Sequence, residues 1–187
     1  MEMENENILY TVTAYTENQV GLMSAIASIF TRRSLNIWSL SVSASAIKDV
    51  HKFTITTHTT KEKIMAVVKQ IERRVDVIKA FYYVNDDIIY RELALYKVET
   101  CNLLESNALE ELLHKRNARI LEMNKNFTVL QKTGHCEETL ALYEDLKKLG
   151  PVLQFTRSGR IAVTKGEHEY VDEFLAEREI ERLKIEK

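Results

Sequence analysis

The chain has 187 residues, 45% hydrophobic and 29% charged, with a formal net charge of −2. That balance excludes global disorder, and the interspersed signs give no reason to expect nucleic acid or another polyanion as partner. The length suits one large domain or two small ones, and five glycines with one proline leave little room for long linkers.

Residues 1–6 are acidic and polar, a tail expected to fray rather than a signal peptide. No apolar run approaches the roughly 20 residues of a membrane span, so a cytoplasmic protein with no membrane partner is expected. Cys101 and Cys136 form no CxxC pair and are expected to be reduced.

The first strand is predicted over about Asn7–Tyr15, where Ile8, Tyr10, Val12 and Ala14 alternate with Leu9, Thr11 and Thr13. The turn Thr16-Glu17-Asn18-Gln19-Val20-Gly21-Leu22 follows. A helix is predicted over about Val20–Arg33, with Leu22, Met23, Ile26, Ile29 and Phe30 as its apolar stripe. The second strand is predicted over about Asn36–Ser45, with a hairpin tip at Ala46–Asp49 and a third strand over Val50–His58. Thr59-x-x-Glu62 fits a capping box. It opens a helix carrying Ile64, Val67, Val68 and Ile71, and Val75–Tyr83 reads as the fourth strand. The order βαββαβ in about 80 residues predicts a ferredoxin-like sheet with both helices on one face. The first and second strands are expected side by side at its centre, and the opposite face is left to water or a partner.

Asn85-Asp86-Asp87 breaks the pattern, dividing the chain into 1–85 and 86–187. The second half repeats the element order: a strand over Ile88–Val98, a helix over about Ser106–Arg116, strands at 118–123 and 127–131, and a helix over Cys136–Leu149. That helix is stopped by Gly150-Pro151. Strands at about 152–156 and 160–163 follow, then a charged helix from about Glu167. The fold class expected is α+β, two ferredoxin-like βαββαβ domains plus a C-terminal helix.

No catalytic centre assembles from these residues. His51, His58, His114, His135 and His168 have no metal-ligand spacing, no glycine-rich phosphate loop is present, and aromatics do not interleave with a basic stripe. The turn at 16–22 is the one stretch with a binding character. It places backbone N–H groups at a helix N-terminus, where they attract an anion such as a carboxylate, and Gly21 lets a ligand approach without a Cβ in the way. A polar turn that only starts a helix accounts for the same residues. A second amide, Asn36, favours a ligand, because two asparagines meeting across a dimer would offer donors and acceptors to a zwitterion.

Glu17-Asn18-Gln19-Val20-Gly21-Leu22, followed by Phe30-Thr31-Arg32-Arg33-Ser34-Leu35-Asn36-Ile37-Trp38-Ser39-Leu40, resembles the ACT domain of the small regulatory subunit of acetolactate synthase (acetohydroxyacid synthase). That family's pattern is E-N-x-x-G-x-L, then F-x-R-R-G-x-N-I-x-S-L-x-V. Arg91-Glu92-Leu93-Ala94-Leu95 and Arg157-Ser158-Gly159 resemble its later signatures. Ser34 departs from the pattern, standing where the family has glycine. The resemblance implies a non-catalytic subunit that activates the large catalytic subunit and confers feedback inhibition by valine, or by leucine or isoleucine. It implies no cofactor in this chain, with thiamine diphosphate, magnesium and FAD on the large subunit. It implies a homodimer through ACT domains, with the effector at the joint, held by Asn18 and Gly21 of one copy and Asn36 of the other. Val20 and Leu22 would add loop N–H groups, and Ile37 an apolar wall. A free-standing amino-acid sensor without an enzyme partner is the alternative.

Overall fold

The computed structural model describes residues 7–100, 108–166 and 171. They fall into two compact units, one running to Ile89 and resuming from Ala162, the other spanning Tyr90–Ile161. The sequence-based division at 85/86 falls just ahead of that first boundary, and residues 162–166 and Val171 group with the first unit.

The first unit contains β1 (Ile8–Glu17), α1 (Leu22–Thr31), β2 (Ser39–Ala44), β3 (Val50–Thr59), α2 (Lys61–Glu72) and β4 (Val77–Tyr83). The strands form one antiparallel sheet in the order β2-β3-β1-β4. The alternation in β1 drives this arrangement: Tyr10, Val12 and Ala14 point to the helices, where Leu22, Ile26, Ile29 and Phe30 of α1 and Ile64, Val67 and Ile71 of α2 meet them. Burying each such side chain contributes about 1.5–3 kcal/mol.

Four expectations change here. β1 is central but lies between β3 and β4, so the first and second strands are not neighbours and β2 is an edge. β2 begins at Ser39, not Asn36, because the chain after α1 is spent on a turn. The capping box at Thr59–Glu62 does not form: the N-cap is Thr60, without a side-chain cap bond, and the Thr59 hydroxyl is buried without a partner. The face of the sheet away from the helices is not simply left to water. Tyr15, Val50 and Val171 form a buried cluster there, with Ile47, Ile78 and Phe81 packed around it, and Thr11, Thr13, Thr54 and Thr56 are buried too. Apart from Val171, the helix predicted from Glu167 lies outside the described residues.

The second sheet is built from β5 (Ile88–Glu99), β6 (Arg119–Met123), β7 (Phe127–Gly134) and β8 (Val152–Arg157), in the order β6-β7-β5-β8, with β9 (Ile161–Thr164) also paired to β5. Its helices are α3 (Ala108–Arg116) and α4 (Cys136–Leu149). Ala94, Tyr96 and Val98 of β5 meet Leu109, Leu113, Leu130, Leu142 and Leu146 in its core. The order matches that of the first sheet strand for strand, so the chain contains two ferredoxin-like folds. α4 starts on an N-cap at His135, whose backbone N–H donates to Glu138 Oε2 at 2.7 Å. That bond, above all else, lowers the Glu138 pKa. Cys136 carries a free thiol, while Cys101 lies outside the described residues.

Candidate functional site

The turn between β1 and α1 is fixed at both ends. The Glu17 N–H donates to the Asp76 carbonyl at 3.0 Å, the Gln19 N–H to the Glu17 carbonyl at 3.1 Å and the Leu22 N–H to the Gln19 carbonyl at 3.3 Å. Gly21 is the N-cap, with φ 84° and ψ −8°. A Cβ there would meet nothing within 4 Å, so glycine is required by the left-handed backbone and not by crowding.

α1 differs from its neighbours at this end. It has no acid in its first turn, whereas α2 has Glu62 and α4 has Glu137 and Glu138; like α2 it has no side-chain cap bond. Its positive end is therefore uncompensated by its own first turn, the condition that favours an external anion. Val20 is fully exposed and Asn18 is exposed beside it. Among the described residues, the backbone N–H groups of Val20 and Gly21 have no partner. The Leu22 N–H is turned to Gln19 and its side chain lies in the core. Leu22 thus anchors the turn, and the amides left for a ligand are those of Val20 and Gly21.

The other predicted site residues follow α1. The helix ends in a Schellman turn: the Ser34 N–H donates to the Thr31 carbonyl and the Leu35 N–H to the Phe30 carbonyl, both at 3.0 Å. Ser34 takes the left-handed position, φ 55°. Asn36 comes next but one. Its carbonyl accepts from Thr57 Oγ1 at 2.8 Å, while its side chain is exposed. Ile37 is half-buried against the core. Within one chain, Asn18 and Asn36 stand at opposite ends of a ten-residue helix, about 15 Å long. A single copy does not bring them together.

The Arg91-Glu92-Leu93 and Arg157-Ser158-Gly159 stretches meet in the second unit. Arg157 Nη1 donates to Glu92 Oε1 at 3.1 Å, and the Thr139 hydroxyl donates to the same oxygen at 2.5 Å. The Ser158 hydroxyl accepts from the Leu93 N–H at 3.0 Å. The Tyr96 hydroxyl donates to the Thr139 carbonyl at 2.7 Å, and burial raises its pKa. Sequence alone gave no sign that these stretches share one hydrogen-bond network, running from exposed Arg157 to buried Glu92, Thr139 and Tyr96, because 65 residues separate Glu92 from Arg157. Among the described residues, no three His, Cys, Asp or Glu side chains gather to hold a metal ion. No described helix is long and apolar enough to cross a membrane.

Two family models match in sequence order: an AHAS small subunit-like ACT domain over residues 13–79, and the small subunit of acetolactate synthase over residues 91–166. The chain is similar to the acetolactate synthase small subunit of Mycobacterium leprae, 29% identical over 157 residues, covering 84% of this chain and 92% of that one. It is similar to the Bacillus subtilis protein of the same name, 28% identical over 156 residues, covering 83% and 90%. The crystal structure of the Thermotoga maritima acetolactate synthase small subunit shares the fold, with a TM-score of 0.77 at 22% identity, covering 86% of this chain and 99% of that one.

Proposed function

The chain belongs to the acetolactate synthase small-subunit family, and from that premise we propose that it activates the large catalytic subunit and makes it sensitive to valine. The large subunit would carry thiamine diphosphate, magnesium and FAD. This chain would supply the sensor. Two copies pair through their first units, and the amino acid lies at the joint. Its carboxylate meets the N–H groups of Val20 and Gly21 at the positive end of α1. The amides of Asn18 and of Asn36 from the second copy hold its polar groups, and Ile37 lines the apolar side.

The observation that supports this reading best is the N-terminus of α1, a left-handed glycine cap with neither a side-chain cap nor an acidic residue. A coupling of about 1–3 kcal/mol between effector and large subunit is enough for useful inhibition. Reconstitution with the large subunit tests it. The wild-type chain is expected to raise acetolactate formation, and valine to lower it again. Asn18→Ala and Asn36→Ala should still activate but respond to valine at least about tenfold more weakly. If both variants remain fully inhibitable, the site is elsewhere. Calorimetry with valine, leucine and isoleucine ranks the effectors.

A further inference from the structure

The turn after α1 recurs after α3. There the Asn117 N–H donates to the His114 carbonyl at 3.2 Å and the Ala118 N–H to the Leu113 carbonyl at 2.9 Å. Asn117 takes the left-handed position, φ 51°. This is the bonding that Ser34 and Leu35 make, so Arg119 holds the place in the second unit that Asn36 holds in the first. The surroundings differ. A cavity of about 250 Å³ lies beside Arg119, lined by Asn117, Arg119, Gln131 and Thr133. Arg119 pairs with Gln131 in the β6–β7 register, and Thr133 lies two residues further along β7. All three side chains therefore share one face of the sheet.

The lining is one guanidinium, two amides and a hydroxyl, with no carboxylate. Among the described residues, the Arg119 side chain makes no hydrogen bond or ion pair; the residue's pairing in β6 is through its backbone. The acid on its own strand, Glu122, instead accepts from Asn124 at 3.5 Å. A guanidinium is built to grip planar or tetrahedral oxyanions with two parallel bonds, and the amides add donors and acceptors. An adjoining cavity shares Asn117 and Arg119 and is lined besides by Glu110, His114 and the apolar Leu113, Ala118 and Ile120, so a ligand reaching into it would set a non-polar or cationic part there rather than a second anion.

We propose that the cavity at Asn117, Arg119, Gln131 and Thr133 binds a small oxyanion, the carboxylate or phosphate of a metabolite. The site shares no residue with the proposed effector joint at α1. Titration of the ¹⁵N-labelled full chain with sodium acetate, glycine and inorganic phosphate tests it, with sodium chloride as the ionic-strength control. The backbone signals of Asn117–Arg119 and the side-chain amides of Asn117 and Gln131 should move saturably, with a Kd near about 1 mM, and chloride should not reproduce the shifts. Glycine and acetate saturating ahead of phosphate identifies a carboxylate, and the reverse order a phosphate. Arg119→Gln should weaken binding at least about tenfold, and Arg119→Lys less. Asn18→Ala and Asn36→Ala should titrate as wild type, which separates this site from the valine site. No saturable shift by about 20 mM, or an unchanged titration in Arg119→Gln, overturns the proposal.

Discussion

The first unit orders its strands β2-β3-β1-β4 and the second β6-β7-β5-β8. Each first helix ends in the same left-handed turn, at Ser34 and at Asn117. The interiors are not alike. Among the described residues, the polar side chains buried in the first unit are all threonines, whereas the second unit also buries the charged Glu92, with Arg157 and the Thr139 hydroxyl bonded to it. The helix starts differ as well: α1 begins on a bare glycine and α4 on a capped, acidic turn. One topology thus tolerates two kinds of core and two kinds of helix terminus. The fold follows from apolar periodicity, and the chemistry from a few positions at turns and strand ends.

The largest effects are expected in the cores. Ile26→Ala in the first unit and Leu142→Ala in the second each remove a side chain with almost no exposure, and each should cost about 2–5 kcal/mol of stability by urea denaturation. If one costs far less than the other, the two cores are not equivalent in packing. Next in size is Glu92→Gln, which leaves Arg157 and the Thr139 hydroxyl without their carboxylate. A loss of about 1–3 kcal/mol is expected, and no substitution at the matching depth of the first sheet has this electrostatic origin, so only the Glu92 variant should show a changed salt dependence.

Smaller effects sharpen the likeness of the two turns. Ser34→Gly should raise stability by about 0.5–1 kcal/mol, read as a higher melting temperature, because glycine takes positive φ without steric cost. Asn117→Gly should gain less, since asparagine already tolerates that conformation. The smallest effect concerns pH and only the second unit. Bonds from Lys148 first, and then Arg116, hold the Asp145 carboxyl down at about 2, against an ordinary 3.8. A depressed carboxylate pKa stabilises the fold above the unfolded value, and that contribution is lost as pH falls from about 4 through 2. Urea midpoints between pH 5 and 2 should therefore converge for wild type and Asp145→Asn at the acid end.

The element order, the alternation of β5 and β7 and the helix stripes were all legible in the residues, because the period of apolar residues is a local property of the chain. The sequence also marked the Asn18–Gly21 turn and Asn36, since glycine and asparagine at those spacings carry their conformational meaning with them. Where the strands pair was decided only in three dimensions. β1 lies between β3 and β4 because two α-helical crossovers must return on one face, and no window of residues encodes that choice. The same holds for Thr59, whose box lost to a helix starting one residue later. It holds for Leu22, whose N–H went to Gln19, and for Glu92 and Arg157, partners that meet only once the second sheet has closed. A hydrogen bond or ion pair between residues distant in sequence has no local signature, and its geometry exists only after the backbone has been placed.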